Sequence, residues 1–410
     1  MAGKGSGETA GGSPGVSSNT PSSKTISSGG EDWLELSLYL THQRFDQVAD
    51  LLDRAKEAAE ANREGDELVL GDQRFLVLPG TASAGEGKKR IAYRWRLRSE
   101  CGLVLNLMHR AFPHRTMPNG IARATSLLLM KVGVREVWRQ INVALACLDI
   151  QITRNKVSRV DPCVDLPGVP VTAFTEPFCD GHYATRARAS EEHYVELSID
   201  VHRFGQEPTG FTVGKGGLKV RVYDKVRETG SDLEKLEVLI ARRWGEWTPK
   251  ATRVEFQLRR EKLKELGVNS FEDWLEKRSA VLAKLTTTGF RLVQGPVDRQ
   301  HVNRAPIHPI WERVQTAFEE WTGPAGEAEL APLPTVAVPP SQLIQQVVGL
   351  FVSVLARRGY MIDGNEAFAH EAMCLVLDSI EERDMAAEVK RRVLELGFGN
   401  VPLLETKNNA

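Results

Sequence analysis

In "DWLELSLYL" apolar residues recur at every second position, Leu34, Leu36, Leu38 and Leu40, which is the period of a half-buried strand. The spacing then becomes helical, with Phe45, Val48, Leu51 and Leu52 on one face of "RFDQVADLLDRAKEAAEANRE". Short alternating runs joined by turns follow in "ELVLGDQRFLVLPG" and "RIAYRWRLRSECGLVLNLM", the layout of an antiparallel meander. From residue 121 a strand, helix, strand order occurs twice. The first copy is "ARATSLLLMKV", a helix with Val134, Val137, Trp138, Ile141, Leu145 and Leu148 on one face, and "VSRVDPCVDL". The second is "LKVRVYDKV", a helix over 232–244 and "ATRVEFQLRR". The closing strands echo one another, "SRVD" at 158–161 and "TRVE" at 252–255, which hints at two related halves of one sheet. Ser270 and Asp273 in "SFED" have capping-box spacing and predict a helix start, and "PIWERVQTAFEEW" predicts one more helix.

These patterns divide the chain. Residues 1–30 are Gly, Ser and Thr without apolar periodicity and predict a disordered tail. Residues 31–321 predict an α+β domain, a large, mostly antiparallel sheet with helices packed on one face. Residues 322–340 are Pro-rich and read as a linker, and 341–400 as a small helical module with helices near 341–358, 365–378 and 381–396. No apolar run approaches the roughly 20 residues of a membrane span, and the N-terminus lacks the layout of a secretion signal, so a cytoplasmic protein is expected. The five cysteines have no CxxC spacing and no HExxH occurs, which argues against a disulfide framework and a zinc site.

Charge changes the picture only when it is counted by segment. Residues 86–310 carry 38 Lys and Arg against 26 Asp and Glu, and 86–160 alone carry 15 against 4, between two acidic flanks. A basic middle points to a polyanionic partner. Strand parity then places the charges. In "GGLKVRVYDKV", Lys219, Arg221, Tyr223 and Lys225 share one face and Leu218, Val220 and Val222 the other. Arg159, Asp161 and Asp165 share a face of "VSRVDPCVDL", and Arg253, Glu255, Gln257 and Arg259 a face of "ATRVEFQLRR". With the apolar sides together, the opposite surface collects acids, cations and one phenol. Carboxylates on neighbouring strands suit Mg²⁺ or Mn²⁺, and cations suit phosphate. The same alternation also describes an ordinary one-sided sheet laced by Arg–Glu pairs. "TVGKGG" at 212–217 lacks the GK[ST] of a phosphate loop and reads as a tight turn. Tyr93 and Trp95, interleaved with Arg94, Arg96 and Arg98, are placed either to stack on unpaired bases or to pack in a core.

"VSRVDPCVDL", "GLKVRVYDKVRE" and "ATRVEFQLRRE", in that order, together with the opening "DWLELSLYL", resemble the replication initiation factor family over residues 32 to about 320. That family comprises trans-acting rolling-circle initiators of plasmids and the related relaxases of integrative conjugative elements. The resemblance implies a DNA nicking-closing endonuclease. Tyr223 would be the nucleophile that forms a 5'-phosphotyrosine link, with Arg221 and Lys225 beside it. Asp161 and Glu255 would bind the metal, and Asp165 matches a further family acid. The charged face implies DNA contacts from Arg159, Lys219 and Arg253, and Arg94 and Arg96 are a second candidate set. The expected partners are single-stranded or cruciform origin DNA, a second copy in a homodimer and a host helicase, with no membrane. The alternatives are a relaxase for element transfer with the same chemistry and a non-enzymatic DNA-binding regulator of replication. Asp224, where asparagine is common, and "TVGKGG", where the family has a serine-containing loop, depart from the pattern.

Overall fold

The computed structural model describes residues 28–380 apart from 64, 85–90, 186–198, 206, 297–303, 327, 329, 333–339 and 359–363. The alternating leucines form β1 (Gly29–His42), followed by α1 (Phe45–Asn62). Then come β2 (Asp66–Leu70), β3 (Gln73–Val77), β4 (Ala82–Ala84), β5 (Ile91–Tyr93), β6 (Trp95–Ser99), β7 (Leu103–Leu107) and β8 (Gly120–Ala124). The chain continues through α2 (Ser126–Val132), α3 (Val134–Ala146), β9 (Ile150–Pro167), α4 (Thr172–Cys179), β10 (Tyr183–Thr185), β11 (Ile199–Phe204), β12 (Glu207–Val213) and β13 (Leu218–Asp224). It goes on with α5 (Lys225–Thr229), α6 (Leu233–Leu239), β14 (Ala251–Arg259), α7 (Arg260–Glu265), α8 (Phe271–Lys284), β15 (Phe290–Leu292) and α9 (Pro309–Thr322).

Eleven strands build one sheet in the order β11-β12-β13-β14-β9-β1-β8-β7-β6-β3-β2. Its pairings are antiparallel, so the fold is α+β, as the sequence predicts. Leu34, Leu36, Leu38 and Leu40 all point to one side, where Leu52, Val137, Trp274 and Trp311 from α1, α3, α8 and α9 cover them. Each such fully buried side chain contributes about 1.5–3 kcal/mol over its exposed state. The Ser270–Asp273 capping box is present and starts α8. "TVGKGG" is the β12–β13 turn; Gly214 has φ +102, and a Cβ there would meet the Leu218 carbonyl oxygen at 2.5 Å.

Three local expectations change. The strand read in "ARATSLLLMKV" ends at Ala124, and Ser126–Val132 is helical. Leu128 and Leu129 face the main core while Met130 faces a smaller one, so a helix covered on two sides shows no one-sided period. β1 starts at Gly29 rather than at Asp32, because the Asp165 N–H reaches the Ser28 carbonyl and Gly29 pairs with Val164. The main helical layer lies on one face, but a second apolar cluster, Met130, Leu239, Trp244 and Ala251, covers one end of the other face.

The Pro334–Ala410 unit contributes α10 (Pro340–Arg357) and α11 (Asn365–Ile380). Residues 1–27 of the tail expected over 1–30, part of the linker and the helix expected at 381–396 lie outside the described residues. Among the described residues no helix is long and apolar enough to cross a membrane.

Candidate active site around Tyr223

Register assembles the site. On β13, Arg221 lies opposite Glu255 and Tyr223 opposite Arg253; on the other side of β14, Glu255 faces Cys163 and Arg253 faces Asp165 of β9. Val220, Val222, Val254 and Phe256 point the other way, into the main core. Tyr223, Arg221, Glu255, Arg253, Asp165, Asp161 and Arg159 therefore share the face that parity assigns to them.

The Tyr223 phenol donates a hydrogen bond to Glu255 Oε2 at 2.9 Å, and Arg221 Nη1 donates to Oε1 of the same carboxylate at 3.1 Å. The Arg221 guanidinium and the Lys225 ammonium lie 5.2 and 5.6 Å from the centre of the phenol ring. Burial, and then the negative charge of Glu255, push the phenol well above its ordinary value. Burial and the neighbouring charge of Asp32 also raise Glu255, so this carboxylate has a heightened affinity for a proton and sits on the phenol's hydrogen. Arg159 Nε donates to both oxygens of Asp161, at 2.9 and 3.1 Å, and its Nη2 adds a third bond. Burial nevertheless carries Asp161 up to about 7, with Glu255 repulsion adding to it.

Below Tyr223 the second apolar cluster closes over the face. Arg253 is 0 % exposed; its Nε and Nη2 bind Asp165 at 2.5 and 2.8 Å, and its Nη1 binds Asp32. Trp244 Nε1 donates to Asp165 Oδ2 at 3.0 Å. A π-helical turn, Ile240–Trp244, brings that indole inward. Burial opposes ionisation of Asp165, but the Arg253 charge and hydrogen bonds outweigh it and hold the carboxyl low.

These contacts bear on two expected roles. Arg253 is an internal ion-pair partner of two carboxylates, 0 % exposed, rather than a surface group. Asp165 is buried with both oxygens engaged by Arg253 and Trp244. Lys225 is also displaced from the strand row: β13 ends at Asp224, and Lys225 begins α5. Its buried ammonium bonds Glu228 at 2.6 Å, and burial lowers its affinity for the proton. Asp224 is the helix cap, accepting from the Arg227 N–H at 3.0 Å, a task asparagine performs equally well.

Lys219 stays on the charged face, opposite Gln257. Arg94 and Arg96 are elsewhere. β6 lies five strands from β14, roughly 24 Å across the sheet at the usual strand spacing. Arg94 is held by Asp53 at 2.7 and 2.9 Å, Arg96 by the Pro79 carbonyl, and Tyr93 and Trp95 are buried. Core packing is therefore the outcome for both aromatics.

Sequence reasoning missed Asp32. By alternation it belongs with Leu34 on the core side, but a register shift between Glu31 and Trp33 turns it toward the site, where it accepts from Arg253 and from Ser126 Oγ at 2.6 Å. Burial disfavours its charge, yet Arg253 and Lys225 prevail and keep it ionised. No sequence signal marks the bulge. Gly210 was also missed: it pairs with Tyr223 at φ +154, and a Cβ there would lie 2.3 Å from the Val222 carbonyl oxygen.

Asp161, Glu255 and Asp165 are carboxylates on adjacent strands, the hard donors Mg²⁺ or Mn²⁺ takes, but each is buried with both oxygens engaged, by Arg159, by Tyr223 and Arg221, and by Arg253 with Trp244, so in this arrangement the three do not fit a metal ion. Among the described residues no three His, Cys, Asp or Glu side chains converge as a metal-holding group.

No family model matches this sequence, and no curated protein is similar to it. Among solved structures the chain is similar to the rolling circle replication initiator protein from Geobacillus stearothermophilus, with 13% identity and a TM-score of 0.38 over 71% of this chain and 96% of that one.

Proposed function

We propose that this protein nicks and rejoins DNA at a specific site through a transient tyrosyl ester, as an initiator of rolling-circle replication. The observation that carries the reading is the 2.9 Å hydrogen bond from the Tyr223 phenol to Glu255, beside Arg221 and Lys225. An un-ionised phenol is a weak nucleophile, and here its O–H is already hydrogen-bonded to a carboxylate with raised proton affinity. As Tyr223 Oη forms a bond to phosphorus, its proton passes to Glu255. The phosphorus–O3' bond breaks, the strand's 3' oxygen leaves and takes a proton from solvent, and the 5' phosphate remains esterified to Tyr223. Arg221 and Lys225 face the charge that builds on the phosphoryl oxygens. In the reverse direction the 3' hydroxyl attacks the tyrosyl ester and Glu255 returns the proton, so the strand is resealed without a nucleotide cofactor.

The test is incubation of the full chain and Mn²⁺ with a supercoiled plasmid carrying the DNA that flanks its coding sequence. Open circles, with protein linked to a 5' end through Tyr223, are expected from the wild type and absent from Tyr223→Phe. An adduct on another tyrosine would overturn the site, and equal inertness of both proteins would overturn the enzyme reading in favour of a DNA-binding regulator.

A further inference from the structure

One irregularity in the β1–β9 ladder sets up a cationic row outside the Tyr223 site. Arg154 pairs with Tyr39, Lys156 with Ser37 and Arg159 with Glu35, so a register shift lies between Lys156 and Arg159. In a regular strand, residues 154 and 156 would face away from 159. The extra residue at the shift restores them to one face while Val157 and Val160 both stay in the core. Along β1 the partners Tyr39, Ser37 and Glu35 are spaced by two residues, so the cations succeed one another about every 6.8 Å. Arg259 of β14 extends the row sideways beside Arg159. At the far end the Arg154 guanidinium lies 3.7 Å above the Tyr39 ring and donates to the Arg115 carbonyl.

Arg159 is matched by Asp161. Among the described residues, Arg154, Lys156, Arg259 and Arg115 have no carboxylate partner; the acids on this part of the face, Glu35 and Asp161, are taken by Arg123 and Arg159. Arg154, Arg259 and Arg115 are exposed. Uncompensated, regularly spaced cations on a sheet face complement a chain of phosphates. The row also begins beside the residues of the Tyr223 site and leads away from it along β9.

We propose that the outer face of β9 and of the adjoining end of β14, through Arg154, Lys156 and Arg259, is a binding track for single-stranded DNA entering or leaving the Tyr223 site. The proposal rests on the nicking reading for its direction, and its test does not depend on cutting. A fluorescently labelled oligodeoxythymidylate is titrated with the full chain by anisotropy at several salt concentrations. For Arg154→Gln/Lys156→Gln, binding is expected to weaken about tenfold, and the slope of log affinity against log salt to fall by about 1.4, two single-strand phosphate contacts. Arg259→Gln should weaken it in the same direction. Arg154→Lys keeps the charge and should bind nearly as the wild type, which separates a lost charge from a lost Tyr39 contact. Lys284→Gln/Arg313→Gln, on α8 and α9, should change nothing. An unchanged slope in the double variant, an equal loss in the α8–α9 control, or tighter binding of a blunt duplex than of the single strand would overturn the track. If the double variant loses binding while the wild type forms no covalent adduct, the track stands and the nicking reading alone fails; an adduct with unaltered oligonucleotide binding gives the converse.

Discussion

Replacing Arg253 by methionine strips one guanidinium from two carboxylates at once. Asp165 is 0 % exposed and depends on Arg253 at both oxygens, keeping afterwards only the Trp244 indole; Asp32 keeps Ser126. Removing one member of a buried pair leaves the other charge uncompensated, at a cost of about 3–5 kcal/mol. Urea unfolding followed by tryptophan fluorescence at pH 7 should show a loss of that size. Arg253→Met/Asp165→Leu should recover most of it, because an apolar pair of similar volume carries no stranded charge. The pH dependence has a definite sign. Asp165 and Asp32 are held below their ordinary values in the folded protein, so the unfolded chain binds those protons more readily. Their contribution is complete above about pH 4 and drains as the pH falls further. Arg253→Met should lose that acid-side slope. A loss under about 1 kcal/mol, or weakened DNA binding at unchanged stability, would refute the internal role and return Arg253 to the surface.

Glu255→Gln should slow tyrosyl-adduct formation about 10²–10⁴-fold, the usual weight of a proton acceptor, while oligonucleotide binding persists; an unchanged rate would exclude Glu255 as that acceptor. Asp161 is raised to about 7, so the folded state holds its proton more tightly and stability should fall as the pH rises from about 4 to 7, by at most about 4 kcal/mol. Asp161→Asn should flatten that segment of the pH–stability curve. Gly210→Ala places a Cβ 2.3 Å from the Val222 carbonyl oxygen and should cost about 1–3 kcal/mol of stability, together with adduct yield, because the strand that carries Tyr223 must shift.

Features that depend on the period of a strand were legible. Lys219, Arg221 and Tyr223 lie on one face of β13 and Glu255 on the matching face of β14, because successive side chains alternate whatever the strand's neighbours are. The capping box of α8 was legible for the same reason, since its two hydrogen bonds span three residues. Legibility ended where one extra residue entered a ladder. The shifts near Asp32 and Ser158 reverse parity, and neither residue type announces it.

The sequence by itself determined the one-sided strands, the alternation of acids, cations and a phenol along them, and the large antiparallel α+β architecture. Only the tertiary structure decided which of those charges meet solvent. Leu127, Met130 and the turn at Trp244 cover one end of the charged face, and under that cover Arg253 and Asp165 become a buried ion pair while Tyr223 and Glu255 lie at its border. Burial depends on what folds back from tens of residues away, and it is burial that raises Asp161, Glu255 and Tyr223 together and keeps the hydrogen on the phenol that donates it to Glu255.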